Sequence, residues 1–137
     1  MLGSIFQSTT IPALEQVVHF AQARHNVLAG NIANLDVPGY RARDLSVGDF
    51  QARLKEAIDA QRRQPSAASP GQTVFQPSRK MAEVSQVNRT ILRHDDGNVG
   101  LEHEVTEMVK NQIQHNLALA VMASQFRLLQ AAISERV

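Results

Sequence analysis

From about Leu101 to Glu135 the chain carries two apolar stripes on one long helix, and no single partner helix can cover both. The first stripe runs Leu101, Val105, Met108, Leu119, Met122, Phe126, Leu129 and Ile133, a heptad seam interrupted by Gln112 and His115. The second runs Ile113, Leu117, Ala120, Val121, Ser124, Leu128 and Ala131 on a different face. Glu102, Glu104 and Glu107 crowd the first turns, where acids complement the helix dipole. Such a helix would be roughly 50 Å long and apolar around much of its carboxy-terminal half.

A second long helix is expected at the other end of the chain, from about Pro12 to Leu35. Its apolar positions are Ile11, Leu14, Val18, Ala21, Leu28, Ile32 and Leu35, with His25 in the one gap. This 3-4-3-4 spacing is that of a coiled-coil seam. Thr10 and Pro12 supply a plausible start, since the missing N–H of proline costs nothing in a first turn. The stop is specified by NIANLDVPGY, residues 31–40. Val37 is pushed toward extended geometry by the proline after it, and Pro38 cannot continue a helix. Pro38-Gly39 suits the centre of a type II turn, with Gly39 supplying the positive φ. Asn31 and Asn34 share one face of the last turns, where their amides can either cap orphaned carbonyls or bond to a neighbouring chain.

Between the two lies a looser segment. Phe50, Leu54 and Ile58 propose a short amphipathic helix from about Asp49 to Arg62, with Asp49 as a possible N-cap. PSAASPGQ, residues 65–72, reads as a loop, and residues 73–94 read as extended or irregular. A chain of 137 residues is one domain in length. Five Phe, one Tyr and no Trp are few aromatics for a compact core. Exposed stripes of this extent are rarely tolerated by a stable monomer, so the chain reads as a subunit built to pack among copies or relatives of itself.

Composition excludes several functions. A net charge of +1, with basic and acidic residues well mixed, gives no nucleic-acid footprint. Without cysteine there is no disulfide, thiol nucleophile or Cys-based zinc site. His94-Asp95-Asp96 and His103-Glu104 lack the spacing of a calcium loop or of a H-E-x-x-H zinc helix, so no metal or cofactor is expected. The seam histidines His25 and His115 have no Ser- or Cys-centred motif beside them and read as register-setting residues. Asn88-Arg89-Thr90 fits a glycosylation sequon, a match that arises often by chance. No catalytic residue is expected. The amino terminus, MLGSIFQSTTIP, has neither the basic region nor the apolar run of a secretory signal. The longest strongly apolar stretch, LALAVMA at 117–123, falls short of the ~20 residues a membrane span needs. The polar face of the last helix is not Lys/Arg-rich, so no direct membrane insertion is expected either.

The residues at the end of the first helix carry a resemblance. Gly30-Asn31-Ile32-Ala33-Asn34-Leu35-Asp36-Val37-Pro38-Gly39-Tyr40 resembles the A-N-[IL]-A-N-x-x-T-P-G-[YF] signature of the flagellar axial proteins of rod, hook and hook-associated structures. Gly30 stands where alanine is common, and Val37 where threonine is usual. The segments DGNVGLEHEVTEM and NQIQHNLALAVMASQFRLLQAAI are most similar to the proximal rod subunit, the FlgB family.

The resemblance implies a structural subunit of the bacterial flagellar basal body, exported through the flagellar type III apparatus without a cleaved signal peptide. It would self-associate with other rod subunits into a periplasm-spanning helical tube that transmits torque and encloses the export channel. The hook-basal body adaptor protein and export-gate components would lie at the rod base. It also implies that Asn31 and Asn34 lie at inter-subunit contacts.

The expected fold is therefore mainly α. Long N- and C-terminal helices pair as a coiled coil, with residues 1–40 and 94–137 as the core and 41–93 as an irregular connecting segment containing a short helix. The family motif and helix stop comprise Asn31, Ile32, Ala33, Asn34, Pro38, Gly39 and Tyr40. The pairing seam comprises Ile11, Leu14, Val18, Leu28, Ile32, Leu35, Val105, Met108, Leu119, Met122, Phe126, Leu129 and Ile133. Ile113, Leu117, Val121 and Leu128 form the subunit-contact stripe. Two rival functions follow from the same pattern, a stand-alone helical binding module such as an export chaperone, and an enzyme whose convergent polar pocket the sequence does not show.

Overall fold

A computed structural model describes residues 10–63, 88–90 and 100–134. The loop at 65–72, most of the segment 73–94, the His94-Asp95-Asp96 run and Glu135 lie outside the described residues. Helix α1 spans Ile11–Ala33, with Pro12 in its first turn. Its expected end at Leu35 comes two residues early, because Asn34 is the C-cap. Asn34 Nδ2 donates to Gly30 O at 2.8 Å, so this asparagine caps an orphaned carbonyl of its own helix. Tyr40 N then donates to Val37 O at 3.1 Å across Pro38-Gly39. Gly39 has φ 77°. That is the type II turn the sequence asks for.

The chain leaving this turn returns along α1. Strand β1, Arg43–Leu45, pairs antiparallel with β2, Asn88–Thr90, in the register Arg43↔Thr90, Asp44↔Arg89 and Leu45↔Asn88. Helix α2, Val47–Arg63, begins two residues before the expected Asp49. Ser46 takes the capping role instead, its Oγ accepting from Asp49 N at 3.3 Å. Asp49 falls in the first turn, where its charge complements the helix dipole.

The apolar core is small and lies where α1 meets this returning chain. The rings of Phe20 and Phe50 stack with centroids 4.1 Å apart, and Leu45 closes the cluster. Val17, Ala23, Val27, Val47 and Leu54 surround it. Ala42, Leu45 and Phe50, in the segment expected only to connect, are buried. The packed unit thus runs past residue 40.

Helix α3, Leu101–Ser134, lies antiparallel to α1, since Asn31, Arg24 and Ala21 meet Glu104, Glu107 and Asn111 in turn. The α1 residues buried in the fold are Phe20, Ala21, Arg24, Leu28 and Asn31, and those of α3 are Glu104, Asn111 and Ala118. The α3 positions repeat every seven residues, as a heptad seam requires, but the phase differs from the expected one. Met108, Met122 and Leu129 are half-buried, whereas Val105, Leu119, Phe126 and Ile133 are exposed. On α1 only Leu28 of the expected seam is fully buried, and Ile11, Leu14, Val18, Ile32 and Leu35 are half-buried. Each helix keeps one expected heptad position, Ala21 and Leu28 on α1 and Met108, Met122 and Leu129 on α3, and moves the other by one residue, a turn of roughly 50° from its apolar phase.

The stripe residues Ile113, Leu117, Val121 and Leu128 are all exposed. One 18-residue window of α3 has a mean hydropathy of 1.4, enough by length and composition to cross a membrane, and 6 % of that window is buried. This corrects the expectation drawn from the uninterrupted run at 117–123. Polar residues such as Ser124, Gln125 and Arg127 break the run without offsetting the leucines, valines and alanines around them.

Two glycines give opposite predictions. A Cβ at Gly30 or at Gly39 would meet nothing within 4 Å. Gly30 is helical, so Gly30→Ala should raise stability by about 0.5–1 kcal/mol. Gly39→Ala should lower it by about 1 kcal/mol, because only the positive φ is at issue. Urea denaturation followed by far-UV circular dichroism reads both.

Candidate functional site: a polar lock between the terminal helices

Four of the buried positions between α1 and α3 are polar, Arg24, Asn31, Glu104 and Asn111, and each is hydrogen-bonded. Asn31 is 1 % exposed and makes four hydrogen bonds. Its Nδ2 donates to Arg43 O at 2.6 Å and to Glu104 Oε2 at 3.0 Å. Its Oδ1 accepts from Arg43 N at 3.0 Å and from the Tyr40 hydroxyl at 3.1 Å. Two donors and two acceptors exhaust the capacity of a carboxamide. The side chain thus pairs with the Arg43 peptide much as a neighbouring strand would, and it reaches α3 through Glu104. This is neither helix capping nor a bond to another chain. The burial also removes Asn31 from any inter-subunit contact, correcting what the family resemblance implied for it.

Two helical turns earlier on α1, Arg24 is also buried. Its Nε and Nη2 grip Asp44 at 2.8 and 2.6 Å, and Nη2 also donates to Glu107 Oε2 at 2.9 Å. Lys110 Nζ donates to the other Glu107 oxygen at 2.7 Å. The Asp44 hydrogen bonds outweigh burial and hold the guanidinium pKa well above its ordinary value. Lys110, and next Arg24, hold the Glu107 carboxyl below the usual carboxylate range. Asn111 adds a bond from Nδ2 to Ala21 O at 2.7 Å. The small residues Ala21 and Ala118, both buried, let the helices approach closely.

Three elements converge on this lock, and each is fixed for a local reason. The stacked Phe20–Phe50 pair sets the rotation of α1. The type II turn returns Arg43 and Asp44 to its side. With α1 so fixed, Arg24 and Asn31 point at α3, which must answer with Glu104, Glu107 and Asn111. Rotating either helix to bury its apolar stripe would break these bonds and pull Phe20 from its core. Buried ion pairs add little net stability, and their best-attested use is to fix register.

Sequence reasoning took Glu104 and Glu107 as dipole partners and assigned Arg24 no role. The signal was present, since Ala21, Arg24, Leu28, Asn31 and Leu35 also keep 3-4-3-4 spacing. His25 and His115 do come together, lining one cleft of about 190 Å³ with Ala21, Gln22, Asn111 and Gln112. Their Nδ1 atoms are buried with no hydrogen-bond partner among the described residues. That lining has no carboxylate to orient an imidazole and no hydroxyl or thiol nucleophile, so the cleft does not form a triad. His103 is exposed on the first turn of α3.

A family profile described as Flagella basal body rod protein matches residues 20–41. That span contains Phe20, Arg24, Asn31 and the type II turn. The chain is 28% identical over 123 residues to the flagellar basal body rod protein FlgB of Escherichia coli (strain K12), covering 82% of this chain and 84% of that protein. It is 26% identical over 127 residues to FlgB of Bacillus subtilis (strain 168), with 93% and 95% covered. Against FlgB of Aquifex aeolicus (strain VF5) it is 28% identical over 123 residues, with 89% and 90% covered.

The lock predicts an acid limb. A carboxyl whose pKa is lowered on folding contributes stability above its unfolded value, and loses it as pH falls through the folded value. Stability should therefore be level near neutral pH and fall below about pH 4. Lys110→Met should flatten that limb by slightly lowering stability near neutral pH, while leaving stability at acid pH, where Glu107 is protonated, unchanged. Arg24→Met should lower stability by about 3 kcal/mol or more near neutral pH, since it strands Asp44 and Glu107, and by less at acid pH, where both are protonated. Asn31→Ala should cost more than about 2 kcal/mol by leaving buried peptide groups unpaired. Urea midpoints between pH 3 and pH 8 check all three.

Proposed function

We infer that this chain, which belongs to the FlgB family of flagellar basal body rod proteins, is a structural subunit of the rod. The observation that carries the inference is the outer surface of α3. Leu117, Ile113 and Leu128 are each more than 60 % exposed, on a helix whose inner face is polar. A stable monomer rarely leaves such a surface in water, whereas a subunit buried among neighbours uses it. Crossing a membrane is the weaker use, because Arg127 would enter the hydrocarbon at about 2.5–3.5 kcal/mol near its centre.

In this reading the seam expected from the apolar pattern becomes a contact surface. Ile113, Leu117, Val121 and Leu128, with Val105, Leu119 and Phe126, meet other rod subunits, and the polar lock fixes the shape each copy presents. The assembled tube would carry torque and surround the export channel, with the adaptor protein and export gate at its base and the rod spanning the periplasm. Export without a cleaved signal belongs to the same proposal, as do a single domain and the absence of catalysis. Asn34, already spent on its own Gly30 carbonyl, would serve the helix stop. The relatives are rod proteins and give no support to the chaperone-like alternative.

The test is incorporation. Deleting the gene should abolish swimming, and the wild-type chain should be recovered in purified hook-basal bodies. Leu117→Asp should be expressed at normal level, keep the folded circular dichroism spectrum and be absent from the particles. Normal rods and swimming with Leu117→Asp would overturn the role given to this surface.

A further inference from the structure

His25 and His115 take no part in the lock, yet the fold brings them to one place. Side chains on a helix lean toward its N-terminus. Because α1 and α3 run antiparallel, His25 leans back over Ala21 and Gln22, while His115 leans back over Asn111 and Gln112. Ala21 and Asn111 are themselves joined, Asn111 Nδ2 donating to Ala21 O at 2.7 Å. The two rings therefore approach one level of the helix pair from opposite directions, and all six residues line the cleft of about 190 Å³.

That lining is rich in lone pairs and holds no fixed charge. Both Nδ1 atoms are buried without a hydrogen-bond partner among the described residues, which costs free energy at each ring. Asn111 donates to Ala21 O, and Gln112 Nε2 donates to Asn116 Oδ1 at 3.0 Å. Those bonds orient both carboxamides and leave their carbonyl oxygens as the uncommitted atoms. No carboxylate lines the cleft, so calcium and magnesium, which favour carboxylate oxygen, are poorly served. Neutral imidazole suits zinc, copper and nickel instead. No third His, Asp or Glu joins the pair among the described residues, so such an ion keeps positions for amide oxygen and water. The cleft has room for both.

We propose that His25 and His115 form a two-imidazole site for a divalent transition cation, Zn²⁺, Ni²⁺ or Cu²⁺, which clips α1 to α3 within one copy. Asn111 and Gln112 offer carbonyl oxygens from the same lining. The clip closes a long loop, because it acts beside a contact between positions 90 apart. Ligands so far apart make no local motif, so sequence spacing alone gives no sign of them. Acid weakens the site, since only neutral rings bind the ion. The site lies within one chain and does not depend on the rod reading.

Calorimetric titration of the full-length, metal-free chain with Zn²⁺, Ni²⁺ and Cu²⁺ in turn tests the proposal. One ion per chain should bind at neutral pH. His25→Gln and His115→Gln should each weaken binding by about tenfold or more, whereas His19→Gln and His103→Gln should leave it unchanged. Nitrogen-15 NMR of the wild-type histidines gives a reading that needs no variant to fold. One equivalent of Zn²⁺ should move the ring signals of His25 and His115 and leave those of His19 and His103 in place. No saturable binding of any of the three ions at millimolar concentration would overturn the site and leave the cleft to water. Binding that survives either cleft substitution would overturn it too, as would zinc that leaves the His25 and His115 signals unmoved.

Discussion

The fold depends on one carboxamide. Asn31 binds both polar groups of the Arg43 peptide, receives the Tyr40 hydroxyl and donates to Glu104. It therefore joins the end of α1, the turn that follows, strand β1 and the start of α3 at one buried point. The abrupt helix stop now has a physical purpose. Unless the chain turns sharply at Pro38-Gly39, Arg43 does not return to Asn31 and Asp44 does not reach Arg24. The helix end, the strand and the ion pairs form one device.

That device inverts the usual arrangement of a helix pair. Polar residues occupy the seam, and much of the apolar surface of α3 faces outward. Hydrophobic burial would favour the opposite, at about 1.5–3 kcal/mol for each large side chain covered. The inversion holds because α1 is already committed by Phe20 to the small core beneath it, and its inner row then demands polar answers. Register is fixed at modest net stability, and the apolar faces of α3 stay exposed, free for the contacts proposed between subunits. A rod subunit that had satisfied its apolar faces internally would have little left with which to assemble.

The sequence made some of this legible and hid the rest for definable reasons. Both long helices and their heptad spacing could be read, because 3.6-residue periodicity is a local signal. The type II turn could be read from Pro38-Gly39 alone. The phase of the seam could not, since hydropathy ranks Val105 above Glu104 and has no means of seeing that Asn31 waits opposite. Arg24 was hidden likewise, its partner Asp44 being 20 positions away in sequence. Strand β1 is three residues long, too short to show alternation. Phe50 belongs to the apolar row that the sequence shows for α2, whereas Phe20 lies outside the row read for α1, and their meeting depends on the turn between them. Asn31 stands out in the sequence, yet a choice between cap and neighbour omits a peptide of its own chain.

The central claim is that a polar lock pairs the helices within one copy while the apolar faces and the end of α3 await neighbours. Residue-resolved hydrogen exchange on the dilute full-length protein tests it directly. Matched to Ala21–Asn111, the first residue of α1 reaches only to about residue 121, so the last dozen or so residues of α3 extend past it. Protection should be strong at 20–31 and 104–118 and fade across 123–134. Fast exchange at 104–118 would contradict the lock, and undiminished protection out to Ser134 would contradict the waiting surface.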